Sequence, residues 1–367
     1  MKRIFFLLLI SGSLQAQQVW SVQQANEWYS KQPWLVGCNY IPHNAINELE
    51  MWQAETWDPA TIDKELSWAE SIGMNTLRVF LHDLLWQQDA EGFKKRLSEF
   101  LAICEKHHIK PMLVIFDSVW DPNPKLGKQH EPTPGVHNSG WVQSPGAAAL
   151  TDEKQYPRLE AYVKGVVGAF ANDSRVLCWD VWNEVDNVNT DNYAEPKNKL
   201  EIVQKLLPMV FAWARAAKPS QPLTCGVWQI NYNDFKGFTP IEKIQLDLSD
   251  IISFHNYNDA TNFEKSVKLL SSHYQRPLIC TEYLARGNKS TFETILPVGK
   301  KYNVAMYNWG FVKGKTQTNL PWDSWRKPYV NGREPAVWHH EIFYPDGKPY
   351  QQQEVDVIRS LTKQLGK

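Results

Sequence analysis

A closed (β/α)₈ barrel is the fold this sequence predicts, and three observations carry that expectation. Short apolar runs alternate with amphipathic helical stretches about eight times along 367 residues. Several of the runs are apolar throughout, as in parallel strands covered on both faces. No Gly-, Ser- or Pro-rich linker divides the chain, and no GxGxxG turn follows the first run, which favours a barrel over an open doubly wound sheet.

The strand-like runs fall at 34–40, 75–81, 110–117, 176–184, 222–228, 251–257, 277–283 and 304–310. Ahead of the first, the segment from Val22 to Trp28 is expected to form a helix closing the lower end of the barrel. Between the first two runs, Asp58 supplies a helix N-cap and Pro59 suits the first helical position. Ile62, Leu66, Ala69 and Ile72 then recur at helical spacing until Gly73 stops the helix. Phe93, Leu97, Phe100, Leu101 and Cys104 make the same stripe before the third run. One domain is therefore expected over 17–367. Residues 1–16, with Lys2 and Arg3 before an apolar run and a small-residue close at Ala16, read as a secretory signal peptide. No apolar stretch reaches the roughly 18 to 20 residues of a membrane span. A secreted or periplasmic location without a membrane anchor is the expectation, and a monomer is assumed.

Composition narrows the partners. With 39 Lys plus Arg against 40 Asp plus Glu, the net charge is −1, which does not suit a polyanion, so no nucleic acid is expected. Charged residues at 22% and hydrophobic ones at 43% describe a folded globule rather than a disordered chain. The unusual number is 17 Trp, more than packing alone requires; surplus indoles line grooves for ligands with flat apolar faces, sugars among them. Five Cys (Cys38, Cys104, Cys178, Cys225, Cys280) have no zinc or redox spacing and read as small buried side chains.

In a barrel of this kind the loops after the strands share one rim, the face that carries chemistry. Those at 41–57, 118–150 and 311–340 are long, and they hold Trp52, Trp57, Trp120, Trp141, Trp322, Trp325 and Trp338 as well as His130 and His137. Walls of a cleft are expected there. Trp52, Trp120, Trp141, Trp228 and Trp322 are the candidate substrate-binding indoles.

The fourth run ends Trp182-Asn183-Glu184 and the seventh ends Thr281-Glu282-Tyr283, so each delivers one Glu to that rim from opposite sides of the mouth. Two carboxyl groups about 5 to 5.5 Å apart suit retaining glycoside hydrolysis, one as nucleophile and one as acid/base. The chemistry needs one ionised and one protonated at the start. Arg78, closing the second run, is the natural cation for keeping Glu282 ionised, and Tyr257 can donate to the same carboxylate. Asn183 is placed to bind a sugar 2-hydroxyl, and Trp309 to form a flat floor under the reacting ring.

These motifs, with His255 beside Tyr257, resemble the site of clan A retaining glycoside hydrolases, above all family 5, the cellulase and mannanase family. The resemblance covers all eight strands. It implies Glu184 as acid/base and Glu282 as nucleophile, with Arg78, Asn183, His255, Tyr257 and Trp309 in support. It also implies β-linked substrates of mannan or glucan type and no cofactor. One departure stands out: many members carry a His near the end of the third strand, where this chain has Phe116-Asp117-Ser118. Asp117 is expected to bind a substrate hydroxyl or to close the strand. A non-catalytic carbohydrate-binding barrel and a transglycosylase are the alternatives.

Other clusters carry less. His339-His340 and the pair His130 and His137 lack a metal-ligand spacing such as HExxH, so no metal site is expected, and no GxSxG motif offers a nucleophilic serine.

Overall fold

The computed structural model describes residues 18–229 and 234–363; the signal-peptide reading at 1–16 lies outside them. All eight expected runs are strands: β1 (Val36–Asn39), β2 (Thr76–Phe80), β3 (Lys110–Val114), β4 (Cys178–Asn183), β5 (Leu223–Gly226), β6 (Ile252–His255), β7 (Leu278–Tyr283) and β8 (Ala305–Asn308). They pair in parallel in the order β5-β4-β3-β2-β1-β8-β7-β6. The circle closes between β5 and β6 by a parallel bridge at Val227 and Phe254, where the His255 amide donates to the Val227 carbonyl at 2.8 Å. This is a (β/α)₈ barrel.

Eleven α-helices are described: α1 (Val22–Tyr29), α2 (Glu48–Trp52), α3 (Pro59–Ser71), α4 (Asp83–Lys106), α5 (Ala147–Thr151), α6 (Tyr156–Ala169), α7 (Lys199–Ala216), α8 (Pro240–Asp247), α9 (Ala260–Tyr274), α10 (Phe292–Lys301) and α11 (Gln352–Thr362). The N-cap of α3 is Asp58, whose carboxylate accepts from the Thr61 amide at 3.1 Å, with Pro59 following in the first turn. Ile62, Leu66 and Ala69 point into the core, and Gly73 takes the left-handed conformation (φ 83°) that ends the helix. In α4 the stripe Phe93, Leu97, Phe100, Leu101 and Cys104 is buried as expected; a break at Asp89 divides this helix near its first turns. All five Cys are buried and free.

The core has three parts, the smallest being Phe80, Val114 and Trp141, packed against Trp309. A large cluster lies between strands and helices, while a smaller one plugs the bottom of the barrel. In the plug, Ala25 and Tyr29 of α1 meet Leu35, Leu177 and Ile251, each one residue ahead of a strand. The expected closing helix is thus α1. Above the plug the interior turns polar: Thr76 Oγ1 meets Tyr307 OH at 2.8 Å and Thr224 Oγ1 meets Ser253 Oγ at 2.8 Å. Polar groups inside a sheet need partners, and stacking them in layers supplies these while leading upward to the charged site. No helix among the described residues is long and apolar enough to cross a membrane.

The long third and eighth loops are joined. Asn138 donates its amide to the Thr316 carbonyl at 2.7 Å, Tyr329 to the Gly135 carbonyl at 2.9 Å, and His137 to Ser324 Oγ at 3.0 Å. Two loops with little regular structure of their own satisfy one another's backbone groups and become a fixed wall above the strand ends.

Candidate active site

The catalytic rim is reached through irregularities at the strand ends. Strict alternation along β4 would send Asp180, Trp182 and Glu184 to the same side. Instead the register shifts between Asp180 and Asn183. Trp182 turns outward onto Phe116 (ring centroids 5.1 Å apart), and Asn183 turns inward beside Asp180. Glu184 follows with φ 47°, its amide held by the Gly226 carbonyl at 2.8 Å. A left-handed Glu costs on the order of 1 to 3 kcal/mol, a strain that structures retain mainly where it aims a functional side chain. A second shift, between Cys280 and Tyr283 on β7, places Tyr283 against Phe292 of α10 and leaves Glu282 in the mouth.

Arg78, fully buried, organises the floor. Its guanidinium donates to Glu282 Oε1 at 2.9 Å, Asp180 Oδ2 at 2.7 Å, Asn183 Oδ1 at 2.6 Å and Asn39 Oδ1 at 2.9 Å. The space for this fork requires Gly226, because a Cβ there would lie 2.8 Å from the guanidinium and 3.0 Å from Asn183 Oδ1. On the other oxygen of Glu282, Tyr257 donates its hydroxyl at 2.7 Å. Glu184 has a different company: His255 Nδ1 lies 2.8 Å from Oε1, and Asn187 Nδ2 donates to Oε2 at 2.7 Å. His255 Nδ1 is also 3.4 Å from Glu282 Oε2, and one ligand atom each of Glu184, Glu282 and His255 fall within 4.8 Å of one another.

Burial pushes the carboxyls of Glu184 and Glu282 up, each to about 7, and His255 down to about 4, so the imidazole is neutral. Two neighbouring carboxylates in one dry site resist double ionisation. Only Glu282 has an ion pair with Arg78 and a phenol donor, so the negative charge belongs on Glu282 and the shared proton on Glu184. The same three side chains are the one group among the described residues with the spacing to hold a metal ion. Arg78 already supplies the positive charge there, 2.9 Å from Glu282, and a second cation would be repelled by it.

The mouth opens into a cleft of about 830 Å³ lined by Glu184, Glu282, Trp120, Trp228, Trp309 and Trp322. A neighbouring cavity of about 840 Å³ shares Trp120, Asn187, Trp228 and Trp322 with it, so the groove runs on past Glu184. Trp120 stacks on Trp325 at 5.1 Å and 18° along that extension.

The structure brings Glu184, Glu282, Asn183, His255, Tyr257 and Trp309 together around the cleft, with Arg78 beneath it. Three of the candidate indoles, Trp120, Trp228 and Trp322, line its walls. Trp52 and Trp141 do not. Trp52 is fully buried, stacked on Trp57 at 5.4 Å and donating its indole N–H to the Phe80 carbonyl; α2 turns it into the core. Trp141 is buried behind Trp309 and donates to Asp117 Oδ2 at 2.7 Å. Asp117 is likewise buried, and it accepts from Asn183 Nδ2 at 2.9 Å. The expected direct contacts with substrate by Trp52, Trp141 and Asp117 thus give way to internal ones, and for Asp117 the other reading, that it closes the strand, is the one seen: it closes β3 onto Asn183 and so positions the neighbour of Glu184.

His137, in a loop expected to wall the cleft, does line it. Other residues of the site were not foreseen: Asp180, Asn39 and Asn187 hold Arg78 and Glu184, and His340 lines the cleft. Asp180 was available as a signal, being a charged residue inside an otherwise apolar strand.

No family model matches the sequence, and no curated protein does. Solved structures do match in fold. An exo-β-1,4-mannosidase from an Opitutaceae bacterium superposes with a TM-score of 0.59 at 17% identity over 89% of this chain. The chain spans 59% of that enzyme's length. An endo-1,4-β-D-mannanase from Thermotoga petrophila gives 0.55 at 13% identity, covering 89% of this chain and 99% of that one. GH5_18 from Streptomyces cattleya, solved with GlcNAc, gives 0.60 at 12%, covering 89% and 78%. The chain shares their fold. At these identities the likeness is one of backbone architecture, the (β/α)₈ barrel with its rim.

Proposed function

We propose that this chain is a retaining glycoside hydrolase of the family 5 type that cleaves β-linked sugars. The observation that carries the reading is the pair of carboxylates at the ends of β4 and β7, within 4.8 Å of each other and held unlike one another. That spacing supports double displacement rather than inversion, which needs roughly 6.5 to 9.5 Å to admit a water between the groups. Glu282, ionised by Arg78 and Tyr257, attacks the anomeric carbon. Glu184 protonates the departing oxygen, then takes a proton from the water that releases the glycosyl enzyme. Asn183, fixed by Arg78 and Asp117, is in place for the 2-hydroxyl, and Trp309 for the ring face. No cofactor enters these steps.

The substrate is an oligosaccharide or polysaccharide of β-mannan or β-glucan type. The cavity beyond Glu184 supports more than one sugar on the leaving side, because Asn187, bonded to Glu184, lines both spaces. Similar structures named as mannosidase and mannanase favour β-mannosides. Export, read from the charged and apolar first residues, and action as a monomer on a saccharide without a nucleic-acid partner complete the proposal.

Turnover of a panel of aryl β-glycosides and β-linked polysaccharides, with Glu282→Gln beside the wild type, tests the reading. Activity that disappears in the variant, with the first-formed product anomer retained in proton NMR, is expected. An active Glu282→Gln variant would remove the nucleophile, and an inverted product would remove the mechanism.

A further inference from the structure

The rim carries two buried imidazoles that the double displacement leaves unused. His137 comes from the third loop and His340 from the end of the eighth; their rings lie 5.4 Å apart and both line the cleft. Each has its Nδ1 against a backbone carbonyl, His137 against Leu320 at 2.7 Å and His340 against Leu284. A carbonyl only accepts, so Nδ1 carries the hydrogen and, in a neutral ring, Nε2 is left as a bare acceptor. Burial pushes His137 down to about 4 and His340 well below its ordinary value, and the imidazoles of His339 and His137 beside His340 act in the same direction. His340 is fully buried, and its Nε2 has no partner among the described residues. His339, its ring 4.5 Å from that of His340, packs against Trp322 at 4.5 Å and lines a different surface pocket rather than the cleft.

We propose that His340 and His137 are specificity-determining acceptors, each receiving an O–H from the sugar unit that becomes attached to Glu282. The location carries the second half of the statement. The His340 ring is 5.7 Å from that of Tyr257, whose hydroxyl holds Glu282, and 5.8 Å from Trp322. The pair therefore adjoins the nucleophile's side of the cleft through His340, while Trp322 and Trp120, which His137 meets at 6.5 and 6.3 Å, also border the extension. A buried acceptor with a fixed tautomer rewards a hydroxyl donor and penalises a ligand that lacks one, since the orphaned nitrogen then loses both water and partner. Two such acceptors side by side read the hydroxyl pattern of one ring, which stacking on Trp309 alone cannot do.

The inference rests on the glycosidase reading above, and its test separates the two. The full chain is assayed on 4-nitrophenyl β-D-mannopyranoside and its 3-, 4- and 6-deoxy analogues, as wild type, His340→Asn, His340→Gln and His137→Asn. Asn keeps an N–H where Nδ1 was and deletes the Nε2 acceptor; Gln returns an amide oxygen near the Nε2 position. Expected is a loss in kcat/KM of about ten- to a hundredfold for His340→Asn on the parent glycoside, with part recovered in His340→Gln. On one deoxy analogue, the same variant and wild type should agree within about twofold. His137→Asn should show the same pattern on a second analogue, and unchanged thermal unfolding excludes misfolding as the cause. An equal loss on the parent and on every deoxy analogue would overturn the acceptor role while leaving the enzyme a glycosidase. A wild type silent on the whole glycoside panel would overturn the glycosidase reading and the proposal together.

Discussion

Replacing Tyr257 by Phe isolates the charge asymmetry on which the proposed mechanism depends. In the native site Glu282 accepts from Arg78 at 2.9 Å and from the Tyr257 hydroxyl at 2.7 Å. Tyr257 itself stays protonated, because burial and the adjoining Glu282 charge push its pKa well above the ordinary value. A hydrogen bond to a charged group contributes about 1.5 to 3 kcal/mol. Tyr257 borders the cleft and is half-buried, so water partly fills the vacated position and the lower end applies. Since about 1.4 kcal/mol corresponds to one pKa unit, the first deprotonation of the Glu184–Glu282 pair should rise by about one unit. The sign follows from the bond: it favours the anion, so its removal favours the acid. The proposed mechanism requires the singly protonated pair, so the acidic limb of the kcat/KM profile moves to higher pH and the bell narrows from that side. The basic limb, set by loss of the proton from Glu184, moves less. The measurement is kcat/KM from pH 4 to 9 for both proteins on one aryl glycoside. An acidic limb that stays in place while the rate falls evenly at every pH would refute the assignment of the anion to Glu282.

Three further outcomes are expected. Glu184→Gln should slow substrates with poor leaving groups by about 10² to 10⁴ and leave those with activated phenols far less affected, read from a leaving-group series. Arg78→Met should lower stability by about 3 to 5 kcal/mol in denaturant unfolding, since Asp180 and Glu282 would face each other without the buried cation that now joins them. Trp322→Ala and Trp52→Ala should separate binding from packing. The first, at an indole 37% exposed on the cleft wall, should raise KM with little change in melting temperature; the second, at a fully buried one, should cost about 3 to 5 kcal/mol of stability.

How far the sequence discloses such a site depends on which physical rule places each residue. The strands were legible because a run buried on both faces must be apolar, and the helices because caps and stripes are local. Glu184, Glu282 and Arg78 were legible because charge at the end of a buried strand has few places to go but the rim. Trp52 was misread for a reason of the same kind: an indole in a long rim loop suits a cleft wall, but α2 is a five-residue helix that folds inward against Phe93 and Phe100. The composition counts indoles; it does not say which way a loop turns. The loop of His137 was expected to wall the cleft, but the acceptor roles of His137 and His340 escaped because their tautomers are set by carbonyls 183 and 56 residues away in sequence.

The bulges explain why alternation fails where the chemistry begins. With a period of two, residues 180, 182 and 184 would all look into the barrel, and the bulky Trp182 would occupy the space that Asn183 and Arg78 now share. Shifting the register by one residue sends Trp182 to the helix layer, where it packs on Phe116 and donates to Ser118 Oγ at 3.0 Å. It also gives the mouth two successive polar residues. The cost is the left-handed backbone at Glu184, and the return is a carboxyl within 4.8 Å of its counterpart from across the barrel. The matching irregularity on β7 does the same for Glu282. Two carboxyl groups from opposite sides of an eight-stranded barrel meet at bond-forming distance of one small ring because both strands abandon their pleat at the rim.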